Sequence, residues 1–420
     1  MRVTFRIVTF VFVVGCTLAS PALIAQGPFT DVVGTLPLSD ELDSRGNLGG
    51  VTVDRLGFIY VANFRDAVWR ISPEGEVVTL ARSLYGSSGN AVDSRGDLYQ
   101  ANFFGNTIDR ITRAGEVSRF VDEGLQGPVG IAIGDDDTLY VVNCSGNFVA
   151  RVSPEGEVSR LADSDLFACA NGIVFGPDES LYVTNFNNHD IIRVTTAGEV
   201  SKFTTVPGGA GNAHITFSKG FFYVTKILAN QILKVSAAGE VYPLAGSGQP
   251  GHEDGPAEAA SLAHPNGITV SPTGDVLYVN TLDGEFRGSR PARITLRTVE
   301  LVTLTDVLES AMEEGGLAVL ADAYRSYGED PVRGREDTVG EMIAFGYRHL
   351  AGGQPAEALE IFRLNAEAHA DVAAAQYQLG EAFRYLGQVE AAVGQYRRTL
   401  VLEPEHGQAS ARLVQLGGGE

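Results

Sequence analysis

One stretch of sequence recurs six times along this chain and constrains its fold more than any other feature. Its clearest copy, residues 96–120, reads GDLYQANFFGNTIDRITRAGEVSRF, with an apolar run ending in Asn, a polar turn, a second apolar run, a Gly turn and a third run. A tyrosine marks the same place in every copy, at steps of 39, 41, 42, 41 and 55 residues: Tyr60, Tyr99, Tyr140, Tyr182, Tyr223 and Tyr278. Fixed-period repetition in this range is typical of a propeller or a solenoid.

Each copy has the pattern of four short strands. In the second copy the predicted strands are separated by turns rich in Gly, Ser and Asn: Asn90–Asp93, Asp97–Asn102, Thr107–Ile111 and Glu116–Phe120. A four-stranded sheet repeated about every 40 residues is a propeller blade. The sequence therefore predicts an all-β, six-bladed propeller with four-stranded blades over residues 26–305, and the 50 glycines suit its many tight turns.

The sequence allows two ways of closing the ring. Val299–Leu304 can form the outer strand of the last blade, or Phe29–Leu36 can join that blade from the N-terminal end of the chain. The period then changes after Leu304. Val307–Tyr327 has a helical pattern that Gly315-Gly316 interrupts, within a helical connector over residues 306–340.

Two further units follow the connector with a step of 34 residues. The matching positions are Phe345-Gly346 with Leu379-Gly380, Gly353 with Gly387, Ala358 with Ala392, and Phe362 with Tyr396. Small residues at these positions let paired helices approach while the aromatic residues fill the space between them. This spacing resembles a tetratricopeptide repeat pair, so residues 341–420 are predicted to form a small all-α domain ending in a capping helix, His406–Leu416. Two units are few for an independent solenoid, and we expect them to contact the propeller, a protein partner or a second copy.

The N-terminal 25 residues have the features of a targeting segment. Arg2 and Arg6 precede the apolar run Ile7–Val14, and small residues lead to a cleavage site at Ala25. The alternative is a lipoprotein signal in which Cys16 becomes the lipidated first residue. Either way the protein is expected to be exported, periplasmic or secreted, with no transmembrane span elsewhere. The net charge of −21 argues against a nucleic-acid partner, which requires a basic surface.

Export gives the remaining two cysteines a predicted role. Cys144 ends the second strand of the third copy, and Cys169 lies just before the first strand of the fourth. Antiparallel pairing places both on the same face of neighbouring blades, so we predict a disulfide between them.

The insertion that lengthens the last step carries a specific resemblance. Ala245–His264 reads AGSGQPGHEDGPAEAASLAH and is followed by PNGI, which looks like the NHL repeat. The recurring LYVxNF and GEV phrases resemble the senescence-marker, gluconolactonase and luciferin-regenerating-enzyme propellers, and RITRAGEV also resembles virginiamycin B lyase. These resemblances imply a propeller whose ligands bind at one mouth of the central channel.

The gluconolactonase-like enzymes hold a divalent metal at that mouth with Glu, Asn and Asp just before an innermost strand. In this chain Asn171 and Asn266 match the Asn-Gly phrase of that family, so they are the candidate ligands for Ca, Mg or Zn. No carboxylate occupies any of the six equivalent positions, which departs from the family pattern. The structural alternative is that both asparagines occupy strained turns.

Three histidines suggest a different use of the channel. His214 stands where other copies have glycine, so its side chain is expected at the channel mouth; His264 precedes Asn266, and His252 lies in the insertion. A pair of these histidines with Asn212 and Asn266 could bind a transition metal or act as acid and base, and virginiamycin-lyase propellers use channel histidines with a metal. The Glu partners of that family are not identifiable, and scattered histidines are more often surface or core residues.

A last set follows each repeat tyrosine by three residues. Four copies have asparagine, for which turn capping is the simplest role: Asn63, Asn102, Asn143 and Asn185. Lys226 takes this place in the fifth copy, either as a solvated lysine or as a group that holds an anionic ligand.

Two functions from different classes follow from these features. The first is binding of a small molecule or a protein at the mouth, with the helical tail contacting another protein. The alternative is a metal-dependent, gluconolactonase-like hydrolase or lyase acting on a small, lactone-like substrate through His214 and His264.

Overall fold

The computed structural model describes residues 30–44, 47–288, 290–330, 333, 336 and 338–417. The predicted targeting segment, including Cys16 and Ala25, lies outside these residues. Two short strands, β1 (Val32–Thr35) and β2 (Leu42–Ser44), come first in the described chain. The copies of the repeat then fold as antiparallel sheets, because each alternates short apolar runs with turns that reverse the chain.

Blades 1–5 each consist of four consecutive strands. From the inner to the outer strand they are: blade 1, β3 (Val51–Val53), β4 (Ile59–Ala62), β5 (Val68–Ile71) and β6 (Val77–Ala81); blade 2, β7 (Ser87–Val92), β8 (Leu98–Asn102), β9 (Thr107–Ile111) and β10 (Val117–Val121); blade 3, β11 (Pro128–Ile133), β12 (Leu139–Asn143), β13 (Phe148–Val152) and β14 (Val158–Asp163); blade 4, β15 (Ala170–Phe175), β16 (Leu181–Asn185), β17 (Asp190–Val194) and β18 (Val200–Thr205); blade 5, β19 (Asn212–Ser218), β20 (Phe221–Lys226), β21 (Gln231–Ser236) and β22 (Val241–Ala245).

The sixth blade is assembled from both ends of the propeller sequence. Its inner three strands are β24 (Ile268–Val270), β25 (Val276–Asp283) and β26 (Ala292–Glu300). The N-terminal β1 supplies the fourth strand, pairing Val32 with Glu300 and Thr35 with Arg297. The ring is therefore closed by the N-terminal segment, the second of the two alternatives that the sequence left open. The two-residue β23 (Gly255–Pro256), from the insertion, pairs with the other edge of β1, and β2 also pairs with β26.

In every blade the start of the inner strand and the end of the second strand lie at the same end of the channel. Because neighbouring strands in a blade are antiparallel, each inner strand begins at the end where the second strand finishes. We call this end of the propeller the top face. Buried apolar side chains fill the space between blades; Tyr99 of blade 2, for example, packs in one cluster with Leu139 and Val141 of blade 3. The six-bladed, four-stranded architecture predicted from the repeat is confirmed.

Seven helices follow the propeller among the described residues. They are α1 (Leu304–Gly315), α2 (Leu317–Glu329), α3 (Val339–Ala351), α4 (Pro355–Ala368), α5 (Ala373–Tyr385), α6 (Val389–Leu402) and α7 (Gly407–Gln415). The break at Gly315-Gly316, the 34-residue step from α3–α4 to α5–α6 and the terminal helix agree with the sequence pattern. The connector is more than a spacer, since α1 and α2 form a hairpin whose Leu308 and Tyr324 pack against Phe345 of α3.

Glycines make the close helix packing possible. A Cβ on Gly346 would lie 2.6 Å from the ring of Phe362, and one on Gly380 would lie 2.8 Å from the ring of Tyr396. Both rings are fully buried. The predicted partnership of small and aromatic residues is therefore present in both units.

The helical region is attached to the propeller through buried ion pairs. Lys234 of blade 5 lies 2.8 Å from Glu336, and the guanidinium of Arg333 lies 2.9 Å from Asp31, just before β1. Arg333 also donates to the carbonyl of Val302. None of the described helices is long and apolar enough to cross a membrane.

Candidate functional site

A layer of glycines brings the inner strands into backbone contact near the top face. Five of the six blades have glycine there, within the inner strand or directly before it: Gly50, Gly89, Gly130, Gly172 and Gly267. A Cβ on any of them would come within 2.3–2.8 Å of the backbone of the next blade. Only blade 5 departs from this rule among the described strands, because it has His214 in the layer. The prediction that His214 replaces a repeat glycine at the channel is therefore matched by its place in the fold.

The His214 side chain borders a cavity of about 230 Å³ inside the channel. Its backbone is held firmly, since its N–H donates to the Thr225 hydroxyl at 3.1 Å and its carbonyl accepts from the same hydroxyl at 3.2 Å. Its imidazole makes no hydrogen bond with the residues that the structure describes. Burial disfavours the charged ring and lowers the pKa of His214 to about 4. The ring is therefore neutral at neutral pH, with one nitrogen free to donate and one free to accept.

Lys226 and Asn212 are cross-strand partners and bind each other. The Lys226 ammonium donates to the Asn212 Oδ1 at 2.7 Å and to the carbonyl of Gly209, and the side chain is fully buried. It is therefore not the solvated lysine considered above, and its charge is engaged inside the protein. Burial without a carboxylate partner lowers the pKa of Lys226 to about 8.

His264 lies at the start of blade 6 in a left-handed backbone conformation, with φ of 53°. The Asn230 side chain accepts its N–H at 3.1 Å, its Nδ1 lies 3.3 Å from the carbonyl of Ile227, and its ring stacks on Phe286 at 5.1 Å. His252 is exposed and lies 3.8 Å from Asp283. The three histidines thus occupy different surroundings rather than one cluster.

The two asparagines predicted as metal ligands have unequal surroundings. The Asn266 amide donates to the carbonyls of Leu48 at 3.0 Å and Gly49 at 2.8 Å, which fastens blade 6 to blade 1. The Asn171 Oδ1 is buried and has no hydrogen-bond partner. No group of three His, Cys, Asp or Glu side chains suited to a metal occurs among the described residues. This donor set, without a carboxylate, does not fit a hard divalent cation such as Ca²⁺.

Aromatic side chains, which sequence reasoning did not single out, stand on the top face on two sides of the mouth. On blades 1 and 2 the rings form one contact group, with Tyr85 and Phe104 largely exposed: Phe64, Tyr85, Phe103 and Phe104. On blades 4 and 6 the Arg287 guanidinium lies 5.6 Å from the Phe186 ring and 5.3 Å from the Phe286 ring. The sequence does contain a signal for some of these rings, since a Phe directly follows the repeat asparagine in three copies.

The remaining predictions concern the framework of this face. Cys144 and Cys169 are joined in a disulfide that links the top loops of blades 3 and 4. Asn63 accepts the N–H groups of Arg65, Asp66 and Ala67 in the turn that follows it, as turn capping predicts. Asn143 and Asn185 accept instead from Gln126 and Ala168, in the loop before the inner strand of the same blade. Asn102 differs, since its amide donates to Asp109.

Comparisons with known proteins agree with this architecture. The model of the virginiamycin B lyase family matches residues 48–253, which is just under half of the chain and spans blades 1–5. None of the curated proteins matches. The fold and the channel therefore define a six-bladed propeller whose first five blades are similar to the virginiamycin B lyase family.

Three solved structures are among those similar to this chain. An auxiliary nutrient binding protein from Bacteroides ovatus has a TM-score of 0.52 at 18% identity, covering 64% of this chain and 77% of that one. A gluconolactonase from Xanthomonas campestris has a TM-score of 0.50 at 16% identity, covering 67% and 98%. A catalytically inactive virginiamycin B lyase from Staphylococcus aureus with quinupristin has a TM-score of 0.47 at 20% identity, covering 61% and 81%.

Proposed function

We propose that the propeller binds a small organic molecule at its top face, with part of the ligand entering the channel toward His214. The observation that carries this proposal is the neutral, unpartnered imidazole at the one position where the glycine layer is interrupted among the described strands. A histidine in this place adds a polar group to the channel wall, whereas glycine would serve packing alone. The aromatic rings at the mouth supply the apolar surface that small-molecule sites have. Tyr85 and Phe104 are exposed on blades 1 and 2, whereas Phe186 and Phe286 are half-buried on blades 4 and 6.

The test is a fragment screen by ligand-observed NMR on the wild type and on the His214→Gly variant. Because this substitution restores the glycine of the other five blades, we expect the variant to fold. Fragments that bind the wild type are expected to lose most of their signal with the variant. Binding that is the same for both proteins would contradict a role for His214. The Phe286→Ala variant would then show whether the aromatic rings at the mouth bind ligands without His214.

A second candidate, an enzyme of the lyase or lactone hydrolase class, is favoured by the family match over residues 48–253. In this case His214 and His264 are the candidate catalytic residues. The low pKa of His214 makes it a weak base at neutral pH, and the donor set at the mouth does not suit a hard cation, so binding remains the better supported function.

Turnover assays decide between the two functions. The purified protein would be incubated with quinupristin and with glucono-δ-lactone, with and without added Mg²⁺. Products would be separated by liquid chromatography before mass spectrometry, because hydrolysis adds one water whereas elimination opens the ring without a change of mass. Stoichiometric metal after dialysis together with turnover that His214→Gly and His264→Ala abolish would establish the enzyme. If the protein neither retains metal nor turns over these substrates, ligand binding is the supported function.

We also propose that the protein is exported and that the helical region binds a protein partner or a second copy. Support comes from the signal-like N-terminal sequence and from the 34-residue helical repeat. N-terminal sequencing of the secreted or membrane-associated product would distinguish cleavage near Ala25 from lipidation at Cys16. Light scattering of the full chain and of a variant ending at residue 303 would test self-association.

A further inference from the structure

An exposed arginine, Arg287, stands on the top face in the turn that follows β25. The N–H of Gly288 donates to the carbonyl of Glu285 at 3.0 Å and closes this turn. The backbone of Arg287 is left-handed, with φ of 58°, at a place in the turn that usually takes glycine or asparagine. The chain therefore has a long, exposed, cationic side chain where the backbone alone favours a small residue.

The Arg287 guanidinium contacts aromatic rings of two blades that are not neighbours. Its Cζ lies 5.3 Å from the ring centroid of Phe286 in blade 6 and 5.6 Å from that of Phe186 in blade 4. Blade 5 lies between them. Because the blades of a propeller spread outward from the axis, a side chain can reach across one blade only near the axis. Arg287 therefore extends over the mouth of the channel, on the side where β19 begins.

Both rings belong to segments that the fold holds in place. Phe286 packs against the apolar cluster between blades 6 and 1, which includes Leu282, and its other contact is the stacked ring of His264 at 5.1 Å. The carbonyl of Phe186 accepts from the N–H of Gly211 at 2.8 Å, directly before β19. The guanidinium is thus positioned by rings, which supply no oxygen acceptor for its N–H groups.

The charge of Arg287 is not matched by a carboxylate among the residues that the structure describes. Asp283 and Glu285 lie nearby in the chain and are exposed, but neither forms an ion pair with it within 4.0 Å. Other arginines of the propeller surface differ, as Arg193 shows by binding Asp178 at 2.6 Å. The N–H groups of Arg287 are therefore available to a ligand.

We propose that Arg287 binds a carboxylate of the ligand at the mouth, while an uncharged part of the same molecule contacts the neighbouring rings and points into the channel. This inference rests on the proposed ligand-binding function and names the charged group of the ligand. A guanidinium binds a carboxylate through two parallel hydrogen bonds, and the Phe rings cover apolar parts of the ligand. No Asp, Glu, Lys or Arg side chain lines the channel cavity among the described residues, so the charged group stays at the mouth.

The experiment compares benzoate with benzamide, which have nearly the same shape and differ in charge. Ligand-observed NMR would measure the affinity of each probe for the full-length protein. We expect benzoate to bind about fivefold or more tightly than benzamide, because only benzoate forms charge-assisted hydrogen bonds with Arg287. Raising the NaCl concentration from about 0.05 M to about 0.5 M should reduce this preference, since salt screens an exposed charge pair.

The matched variants are Arg287→Asn and Arg65→Asn. Asparagine tolerates the left-handed turn, so Arg287→Asn should fold as the wild type does and lose the preference for benzoate. Arg65→Asn removes another exposed arginine of the top face, in blade 1, and should keep the preference. Equal binding of both probes by the wild type, or binding of neither, would overturn the inference. A loss of preference that is as large in Arg65→Asn would also overturn it, because it would show a general attraction of anions.

The His214→Gly variant separates this inference from the proposed function. Fragments that require His214 in a protein that does not prefer benzoate would support the proposed function and overturn the role of Arg287. Benzoate binding that requires Arg287 and is unchanged in His214→Gly would support the carboxylate site and contradict the role of His214.

Discussion

Among single residues, the informative ones are polar groups buried where the repeat places small or apolar side chains. His214 and Lys226 both lie in blade 5, and both are buried without a carboxylate to favour their charged forms. A buried group of this kind must either lose its proton or find neutral acceptors. His214 takes the first course, and Lys226 takes the second through Asn212 and Gly209. Both groups therefore give the protein a measurable pH dependence.

Acidification should destabilise the wild type through His214. Its pKa is lowered from 6.5 to about 4 in the folded protein, so the unfolded chain binds more protons between these values. We expect a loss of about 3 kcal/mol at most as the pH falls from 6.5 to 4, because a tenfold difference in proton affinity corresponds to about 1.4 kcal/mol. Urea unfolding at several pH values should show a smaller loss for His214→Gly. Parallel pH profiles for the two proteins would contradict the prediction.

Lys226 should make the stability of the folded protein depend on pH in the alkaline range. Its folded pKa of about 8 lies below the ordinary value of 10.5, so the unfolded chain binds more protons between them. Stability of the wild type should consequently rise from pH 8 to 10.5 relative to Lys226→Met. Lys202→Met, which removes a half-exposed lysine, is the control and should follow the wild type. A Lys226→Met profile that matches both would refute the assignment.

Within strands and helices, the glycines determine how closely elements approach. In the channel they allow backbone contact between inner strands, and in the helical region they receive an aromatic ring from the paired helix. A sequence pattern shows these glycines as repeated letters. Their role depends on which atoms lie opposite, and this differs from one glycine to the next.

A methyl group in the glycine layer should be costly. The Cβ of Gly130→Ala would lie 2.5 Å from the carbonyl oxygen of Asn171, and backbone at this position cannot move freely. We expect a loss of about 1–3 kcal/mol in the free energy of unfolding, as for other overpacked sites. His214→Ala alters the same layer without adding an atom and should cost much less. Equal unfolding midpoints for the two variants would contradict the steric account.

The helical region offers a matched pair of glycines. Gly346→Ala should destabilise the helices by about 1–3 kcal/mol because its Cβ meets the Phe362 ring. Gly394→Ala, inside α6, meets no atom within 4 Å and should stabilise them by up to about 1 kcal/mol through helix propensity. Thermal unfolding followed by the helical circular dichroism signal measures both. Stabilisation by both substitutions would show that helix propensity alone decides, and destabilisation by both would contradict the prediction for Gly394.

For the molecule as a whole, the propeller depends on the contacts that close its ring. Blade 6 needs β1 from the start of the propeller, and the insertion adds β23 beside it. Arg297 holds these parts together, since its fully buried guanidinium binds the carbonyls of Gly34 and Ser261 and the carboxylate of Asp254. The helical region reinforces the same seam through Arg333 and Asp31.

Removing the Arg297 guanidinium should open this seam. Arg297→Met leaves several buried carbonyls without donors, and we expect a loss of about 3–5 kcal/mol. Limited proteolysis should then cut the insertion between residues 246 and 264 much faster than in the wild type. Arg293→Met removes an exposed arginine from the same strand and serves as the control. Protease resistance equal to that of the control would show that β1 pairing alone keeps the ring closed.

The spacing of the repeat is sufficient to establish the blade count, the strand pattern and the positions of the helices, because these depend on local periodicity and turn chemistry. It also identifies His214 as an exception, since a histidine among glycines is visible in the letters. The closing strand depends on residues far apart in the chain, since only the closed ring brings β1 and β26 together. The partners of Lys226 and of Gln100 lie within one blade, but the tertiary structure decides which side-chain atoms bond which carbonyls. The Asn90 Oδ1, for example, has no hydrogen-bond partner because backbone carbonyls of the same blade orient the Gln100 amide, and the sequence letters do not show this.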